Sequence, residues 1–375
     1  MPSPSPASPD STPTVGRIRR HATRGRGSST NPANRFEGAE LAVDPDAWSD
    51  TADPSEQPAP ATRFYLDDTQ SILSANDSPD LPSTYSVNPY RGCEHGCAYC
   101  YARTYHDYLG WSSGLDFETR ILVKQLAPSL LRAALSAPKW QPQPIAFSGA
   151  TDCYQPAERH FQLTRQCLEI LAVLRNPVGI ITKSALVTRD IDLLRTMSAW
   201  NGVHVYVSIT SLDPEFAGRL EPRAARPAAR LDAIRQLADA GIPVGVMTAP
   251  IIPGLNDVEI PAILRAAGEA GARTAGKVVL RLPHALKELF TDWLETHYPG
   301  QRDRVLARVR ALRGGALNVS TWGERMRGEG IHAEQIHRLW EVGVRRAGLD
   351  RGLPPLNTGA FRRPGGDQLD LFSAT

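Results

Sequence analysis

From about residue 62 onward, apolar and polar positions fall into two alternating patterns. Short runs rich in β-branched residues, at 85–88, 145–148, 179–182, 203–209, 244–249 and 278–282, read as strands. Between them lie amphipathic stretches with apolar positions three and four apart. Examples are 163–174 and 227–240, the latter followed by Gly241 as a C-cap. Such alternation predicts a parallel α/β architecture of six β/α units forming a complete or partial barrel. Barrels of this kind carry their chemistry on loops at the C-terminal ends of the strands. Residues 285–350 read as helical, with Leu286, Leu289, Trp293 and Leu294 on one apolar face.

The ends of the chain break this pattern. Residues 1–60 hold ten of the 31 prolines among Ser, Thr and Ala, lack apolar periodicity and read as a disordered tail. Its charges are segregated, with Arg17, Arg19, Arg20, Arg24 and Arg26 ahead of Asp44, Asp46, Asp50 and Asp53. That run is either a solvated tail or an arm that contacts phosphates. Residues 353–375 return to Gly, Pro and polar residues and read as flexible. The expected organisation is therefore a tail over 1–60, a core over 61–284, a helical extension over 285–352 and a second tail over 353–375.

Composition narrows the classes. Hydrophobic residues make up 41% of the 375, enough for a sizeable core, and the net charge of +2 points to no particular partner. Mean hydropathy is −0.30, and no apolar run reaches the roughly 18 residues of a membrane span. The N-terminus lacks the apolar core of a secretory signal, so a cytoplasmic, reducing setting and no membrane are expected. The helical extension carries Arg302, Arg304, Arg308, Arg310 and Arg313, then Arg325, Arg327, Arg338, Arg345 and Arg346. These form either the wet face of helices or a nucleic-acid surface.

The candidate chemistry lies in the cysteines. Three of the five fall within eight residues, Cys93, Cys97 and Cys100, which suits thiolate ligation better than a disulfide framework. Three thiolates on one short loop can hold three irons of a [4Fe–4S] cubane and leave the fourth open. The open iron can bind the amino and carboxylate groups of S-adenosylmethionine (SAM) and pass an electron to its sulfonium, yielding a 5′-deoxyadenosyl radical. A structural zinc site is the alternative and wants a fourth ligand. His95 could supply it, but in a cramped position between Cys93 and Cys97. Tyr99, immediately before the last cysteine, is either a core aromatic or packs near the adenine of SAM.

With its C-x3-C-x-aromatic-C motif after the first strand of a β/α array, the region from Tyr85 to Leu282 resembles the radical SAM superfamily. More narrowly it resembles the spore photoproduct lyase-like branch, also called DNA repair photolyase-like. The narrower likeness rests on Ile181-Thr182-Lys183, on Leu220-Glu221-Pro222 leading to Arg230-Leu231-Asp232-Ala233, and on Pro243-Val244-Gly245 leading to Ala249-Pro250-Ile251. The resemblance implies an α/β fold, a partial (βα)6 TIM-like barrel with SAM across its top. Where radical SAM proteins often carry a Gly-Gly-Glu-like segment, this chain has Ser148-Gly149-Ala150-Thr151-Asp152, so Ser148 and Gly149 would offer backbone carbonyls. Ser208 and Arg230 are candidates for the SAM carboxylate, since an Arg fork pairs bidentately with a carboxylate; Arg230 could instead be a surface helix residue. Lys183, at a strand end, is expected to contact the ligand. In that branch a cysteine near the second strand end returns a hydrogen atom to the product radical. With a small register offset Cys153 would take this role; the alternative is a buried, inert thiol. Cys167 is expected in the core.

The chain closes with Gln368, Leu369, Asp370, Leu371 and Phe372, which resemble the pentapeptide by which bacterial replication and repair proteins bind the DNA sliding clamp. The leading expectation is a lyase-like radical SAM enzyme acting on DNA, tethered to that clamp and fed by an external electron donor. A radical SAM enzyme acting on RNA, a peptide or a small molecule remains open. So does a non-catalytic iron–sulfur protein that binds nucleic acid or senses redox state.

Overall fold

The computed structural model describes residues 22–36, 60–80 and 83–364. Its strands are β1 (Arg63–Leu66), β2 (Leu73–Ala75), β3 (Tyr85–Val87), β4 (Tyr90–Arg91), β5 (Arg120–Val123), β6 (Ile145–Phe147), β7 (Val178–Thr182), β8 (Val203–Ser208), β9 (Val244–Ile251) and β10 (Thr274–Val279). Seven of them form one sheet in the order β10-β9-β8-β7-β6-β3-β2. The six from β3 to β10 in that order run parallel, and β2 pairs antiparallel at the edge. The sheet is thus the six-strand partial barrel expected, and both its ends stay open.

Residue chemistry explains most of these strands. In β8, Val203, Val205 and Val207 are wholly buried and alternate with the half-buried His204 and Tyr206, the period-two pattern of a pleated strand. The last strand departs from expectation. Its apolar run begins at Val278, but pairing with β9 begins at Thr274. All but Val279 of this edge strand are only half buried, so hydrophobicity did not mark its start. A second sheet, ordered β1-β5-β4, was not anticipated. All four residues of β1 are exposed, so no burial pattern announces it.

The connecting helices are α1 (Ala127–Ser136), α2 (Leu163–Leu174), α3 (Ile191–Ser198), α4 (Pro214–Leu220), α5 (Pro227–Asp239) and α6 (Ile260–Glu269). They cover the sheet and enclose the main core, from Val87 and Phe147 through Val205 to Leu264. At the end of α5, Gly241 adopts φ 74°, the left-handed stop that glycine provides without steric cost. The C-terminal extension supplies α7 (Leu286–His297), α8 (Arg302–Ala311) and α9 (Gly330–Arg346). Leu286, Phe290, Trp293 and Leu294 of α7 share one buried cluster with Cys97, Ala98 and Tyr99. At ~1.5–3 kcal/mol for each large side chain buried, α7 is a structural wall of the cysteine loop. Among the described residues, no helix is long and apolar enough to cross a membrane.

Both stretches read as unstructured tails are in part tied to the core. Residues 22–36 dock through Arg26, whose Nη1 donates to the Glu118 carbonyl at 2.9 Å, and through the Gly27 and Ser28 amides, which donate to the Glu118 carboxylate at 3.0 and 2.9 Å. At the other end, residues 354–363 cross the face where strands begin. Pro354 O meets His204 Nε2 at 2.6 Å, Asn357 N donates to Asn201 O and Arg362 N to Leu174 O. Proline and polar composition suggest disorder, whereas backbone and side-chain hydrogen bonds hold these segments, with Phe361 packed against the main core.

Candidate active site at the cysteine loop

The cysteine loop follows β4 and stands at the C-terminal mouth of the parallel strands. Two glycines let it turn back on itself, Gly92 at φ 81° and Gly96 at φ 67°, values that residues with a Cβ rarely adopt. The loop backbone is anchored from several sides. Cys93 N donates to Phe117 O at 2.9 Å and Ala98 N to Leu220 O at 3.0 Å. Gln155 accepts from Glu94 N and donates to Gly92 O, and Arg103 Nε donates to Cys97 O at 2.9 Å. Arg103 is itself fully buried and paired with Glu118 at 2.5 Å. The strap of residues 22–36 lies so close that a Cβ on Gly27 would stand 1.7 Å from Gly96 O.

All five cysteines are free thiols. Cys93 and Cys97 are buried and Cys100 half buried. Burial, and then the neighbouring Asp152 and thiols, push the Cys93 thiol well above its ordinary pKa; burial and Glu221 push Cys97 up as well. The three sulfurs therefore sit within electrostatic reach of one another. Among the described residues no three His, Cys, Asp or Glu side chains converge as they would around a single metal ion. A cubane instead takes each thiolate at a separate corner iron. The three thiols on one braced loop fit such a cluster, and desolvated thiols next to cationic side chains suit its net charge.

His95, considered as a fourth zinc ligand, sits beside a carboxylate. Its Nδ1 lies 3.4 Å from Asp152 Oδ2. Asp152 also accepts from Thr182 Oγ1 and Lys183 N, each at 2.7 Å, and from Tyr154 N at 2.9 Å. Burial alone would raise its pKa, but His95 and these donors bring it down to about 2. Asp152 thereby ties the cysteine loop to the end of β7, a role the sequence did not reveal.

Tyr99, Lys183 and Arg230, all candidates from the sequence, converge on one buried network around Glu221. The Tyr99 hydroxyl donates to Glu221, the Arg230 Nη2 donates to the other Glu221 oxygen, and Thr210 Oγ1 donates to Glu221 at 2.6 Å. The Lys183 ammonium stands 5.7 Å from the centroid of the Tyr99 ring. Burial works against its charge, but Cys97 and Glu221 hold its pKa above the ordinary value. Despite burial, Arg230 and Lys183 keep Glu221 below the usual carboxylate range.

The network corrects the reading of Arg230. Its Nε donates to Ala225 O at 2.6 Å and its Nη1 to Ser208 O at 3.0 Å, and it is 1% exposed. It is no surface residue, and its fork faces Glu221 and main-chain carbonyls rather than an open carboxylate site. Ser208, buried at the end of β8, meets that fork through its carbonyl. Glu221 is the partner of this guanidinium, which its place in the Leu220-Glu221-Pro222 motif does not by itself reveal.

On the opposite rim, Ser148 adopts φ 74°, costly for a residue with a Cβ. Its Oγ accepts from Cys153 N at 3.0 Å, and Asn88 Oδ1 accepts from Ala150 N at 2.8 Å. The Gly149 carbonyl accepts from the Tyr101 hydroxyl at 2.6 Å, so it faces the cysteine loop. Cys153 itself is 0% exposed and belongs to the main core, as does Cys167. Burial and then Asp152 raise its pKa well above the ordinary thiol value. This placement fits the inert alternative. Gln368, Leu369, Asp370, Leu371 and Phe372 lie outside the described residues.

Comparison with known proteins agrees with this geometry. The Radical SAM superfamily model matches residues 87–267. An uncharacterised protein of Mycobacterium tuberculosis is 35% identical over 237 residues, which cover 62% of this chain and 68% of that protein. An uncharacterised Methanocaldococcus jannaschii protein is 34% identical over 178 residues, covering 47% and 63%. Among solved structures, spore photoproduct lyase complexed with dinucleoside spore photoproduct superposes with a TM-score of 0.55 at 16% identity, over 76% of this chain and 78% of that one.

Proposed function

This chain belongs to the radical SAM superfamily, whose enzymes use a [4Fe–4S] cluster and SAM, and from that premise we propose that it acts on DNA in a lyase-like reaction, repairing a lesion or modifying a nucleotide. Cys93, Cys97 and Cys100 would hold the cluster. The observation that carries the reading is their placement on one braced loop at the barrel mouth, while Cys153 and Cys167 lie in the core. A cluster and SAM bound there would supply radical chemistry for hydrogen-atom abstraction, with the electron coming from an external donor.

The chain's own residues prepare that site. The buried Tyr99–Glu221–Arg230 network fixes the ring beside the last ligand cysteine, where it would pack near the adenine. Lys183 offers a cation at the same mouth and takes over the role of SAM carboxylate partner first given to Arg230 and Ser208. Ser148 and the Gly149 carbonyl form the rim that would receive the SAM amino group. The buried Cys153 thiol lies beside this rim, and its use as a hydrogen donor would require the rim to open.

DNA as substrate is supported by the arginine and aromatic side chains at the mouth, and it agrees with the fold shared with a lyase that binds a dinucleoside photoproduct. Gln368 to Phe372 would tether the enzyme to the sliding clamp, and an external donor would reduce the cluster.

The test is anaerobic reconstitution with iron and sulfide, reduction with dithionite in the presence of SAM, and assay of 5′-deoxyadenosine with and without ultraviolet-damaged DNA. DNA is expected to raise the yield, and a yield indifferent to DNA would move the substrate to another class. Cys93→Ala should abolish both the cluster absorbance and SAM cleavage, whereas Cys167→Ala should leave both in place. For the tether, Leu371→Ala with Phe372→Ala should remove clamp capture in a pull-down and leave SAM cleavage unchanged.

A further inference from the structure

Past the end of β10 the backbone stays extended, with Leu280 N donating to Ile251 O at 2.9 Å. Leu280 and Leu282 are buried in the cluster that holds the cysteine loop. Side chains of an extended segment alternate, so Arg281 between them faces the other way, toward the mouth. Its guanidinium carbon stands 4.5 Å from the centroid of the Tyr101 ring. Tyr101 directly follows the last ligand cysteine and reaches across to the Gly149 carbonyl.

Among the described residues, Arg281 has no hydrogen-bond acceptor and no ion-pair partner. The groups around it are already engaged. Asp80 is paired with Arg325 Nε at 2.6 Å and with Gly323 N at 2.7 Å. Arg313 donates to the carbonyls of Leu280 and Glu324. Burial and then Arg325 disfavour the Arg281 charge, with Tyr101 the largest influence in its favour. The half-buried guanidinium, without an acceptor among the described residues, stays open at the mouth, where an incoming anion would gain a charge-assisted hydrogen bond in a partly desolvated setting. The surroundings indicate which anion. Tyr105, whose ring centroid is 6.5 Å from that of Tyr101, is 49% exposed, and so is Trp322, against which Arg325 packs at 4.0 Å. Cations interleaved with exposed rings fit phosphate and unstacked base together.

We propose that Arg281, backed by Arg325 and flanked by Tyr105 and Trp322, is the site that takes a backbone phosphate of a nucleic-acid strand and stacks an unpaired base beside it. This inference rests on the DNA reading above and gives it a point of attachment. The other anion that could enter the mouth is the SAM carboxylate, and Lys183 beside Tyr99 already offers it a cation.

The test uses the reconstituted full chain and a fluorescein-labelled single-stranded deoxyoligonucleotide, followed by anisotropy across a potassium chloride series. Equilibrium SAM binding is measured in parallel. Arg281→Ala is expected to weaken oligonucleotide binding about tenfold and to lower the salt slope by about one, with SAM affinity unchanged. Tyr105→Ala, a change at an exposed ring, should weaken the oligonucleotide with no change in salt slope. Unchanged oligonucleotide affinity in both variants, with a wild type that binds, would overturn this site and leave the DNA reading standing. A wild type that does not bind the strand overturns both. Loss of SAM binding in Arg281→Ala with oligonucleotide binding intact would hand the guanidinium to SAM and also overturn the proposal.

Discussion

At the scale of single residues, the site is built on buried polar groups whose partners lie far away in sequence. Arg230 is one. Arg230→Met would leave the buried Glu221 carboxylate without the guanidinium that pairs with it. Breaking a buried pair in this way costs ~3–5 kcal/mol, which urea unfolding would register; replacing Glu221 with Leu as well should recover most of it. His106 gives a pH signature. It is 1% exposed, and burial lowers its pKa from 6.5 to about 4. Between those values the unfolded chain binds the proton and the folded chain resists it, so stability falls as pH drops from 6.5 toward 4. At ~1.4 kcal/mol per pH unit the loss approaches ~3 kcal/mol, and His106→Gln should flatten the curve of urea midpoint against pH. The sequence could reveal the cysteines because their chemistry lies in local spacing. It could not reveal that Arg230 points inward, because Glu221, Ala225 and Ser208 gather around it only in the fold.

At the scale of elements, legibility followed burial. Five of the six parallel strands were found near their true positions because their apolar residues are buried. The sixth was displaced because most of its residues are half exposed, and the β1-β5-β4 sheet was invisible because β1 buries nothing. The strap of residues 22–36 went unseen for another reason. Its attachment combines amides meeting the buried Glu118 carboxylate with polar contacts of Arg26, Asn31, Asn34 and Arg35, and no hydropathy pattern encodes those. A side chain at Gly27 would collide with Gly96. Gly27→Val should therefore lift the strap and remove two hydrogen bonds to a charged acceptor, each worth ~1.5–3 kcal/mol. The expected outcome is a reconstituted cluster whose visible absorbance decays faster in air than in the wild type. An unchanged decay would show that the strap does not shield the loop.

At the scale of the whole molecule, α7 and the cysteine loop share one buried cluster, so the extension cannot be removed without exposing the loop. The segment after α9 closes the opposite side. Arg363 donates to Ala137 O at 2.5 Å and to Trp140 O at 3.0 Å, and Arg363→Ala is expected to lower unfolding free energy by ~1–2 kcal/mol with no change in SAM cleavage. This crossing also decides how the protein would be carried. Residue 364, the last one described, belongs to the face where strands start, whereas the thiols and Arg281 belong to the face where they end. An anchor placed at residue 364 would hold the protein by its heel, with the mouth turned outward.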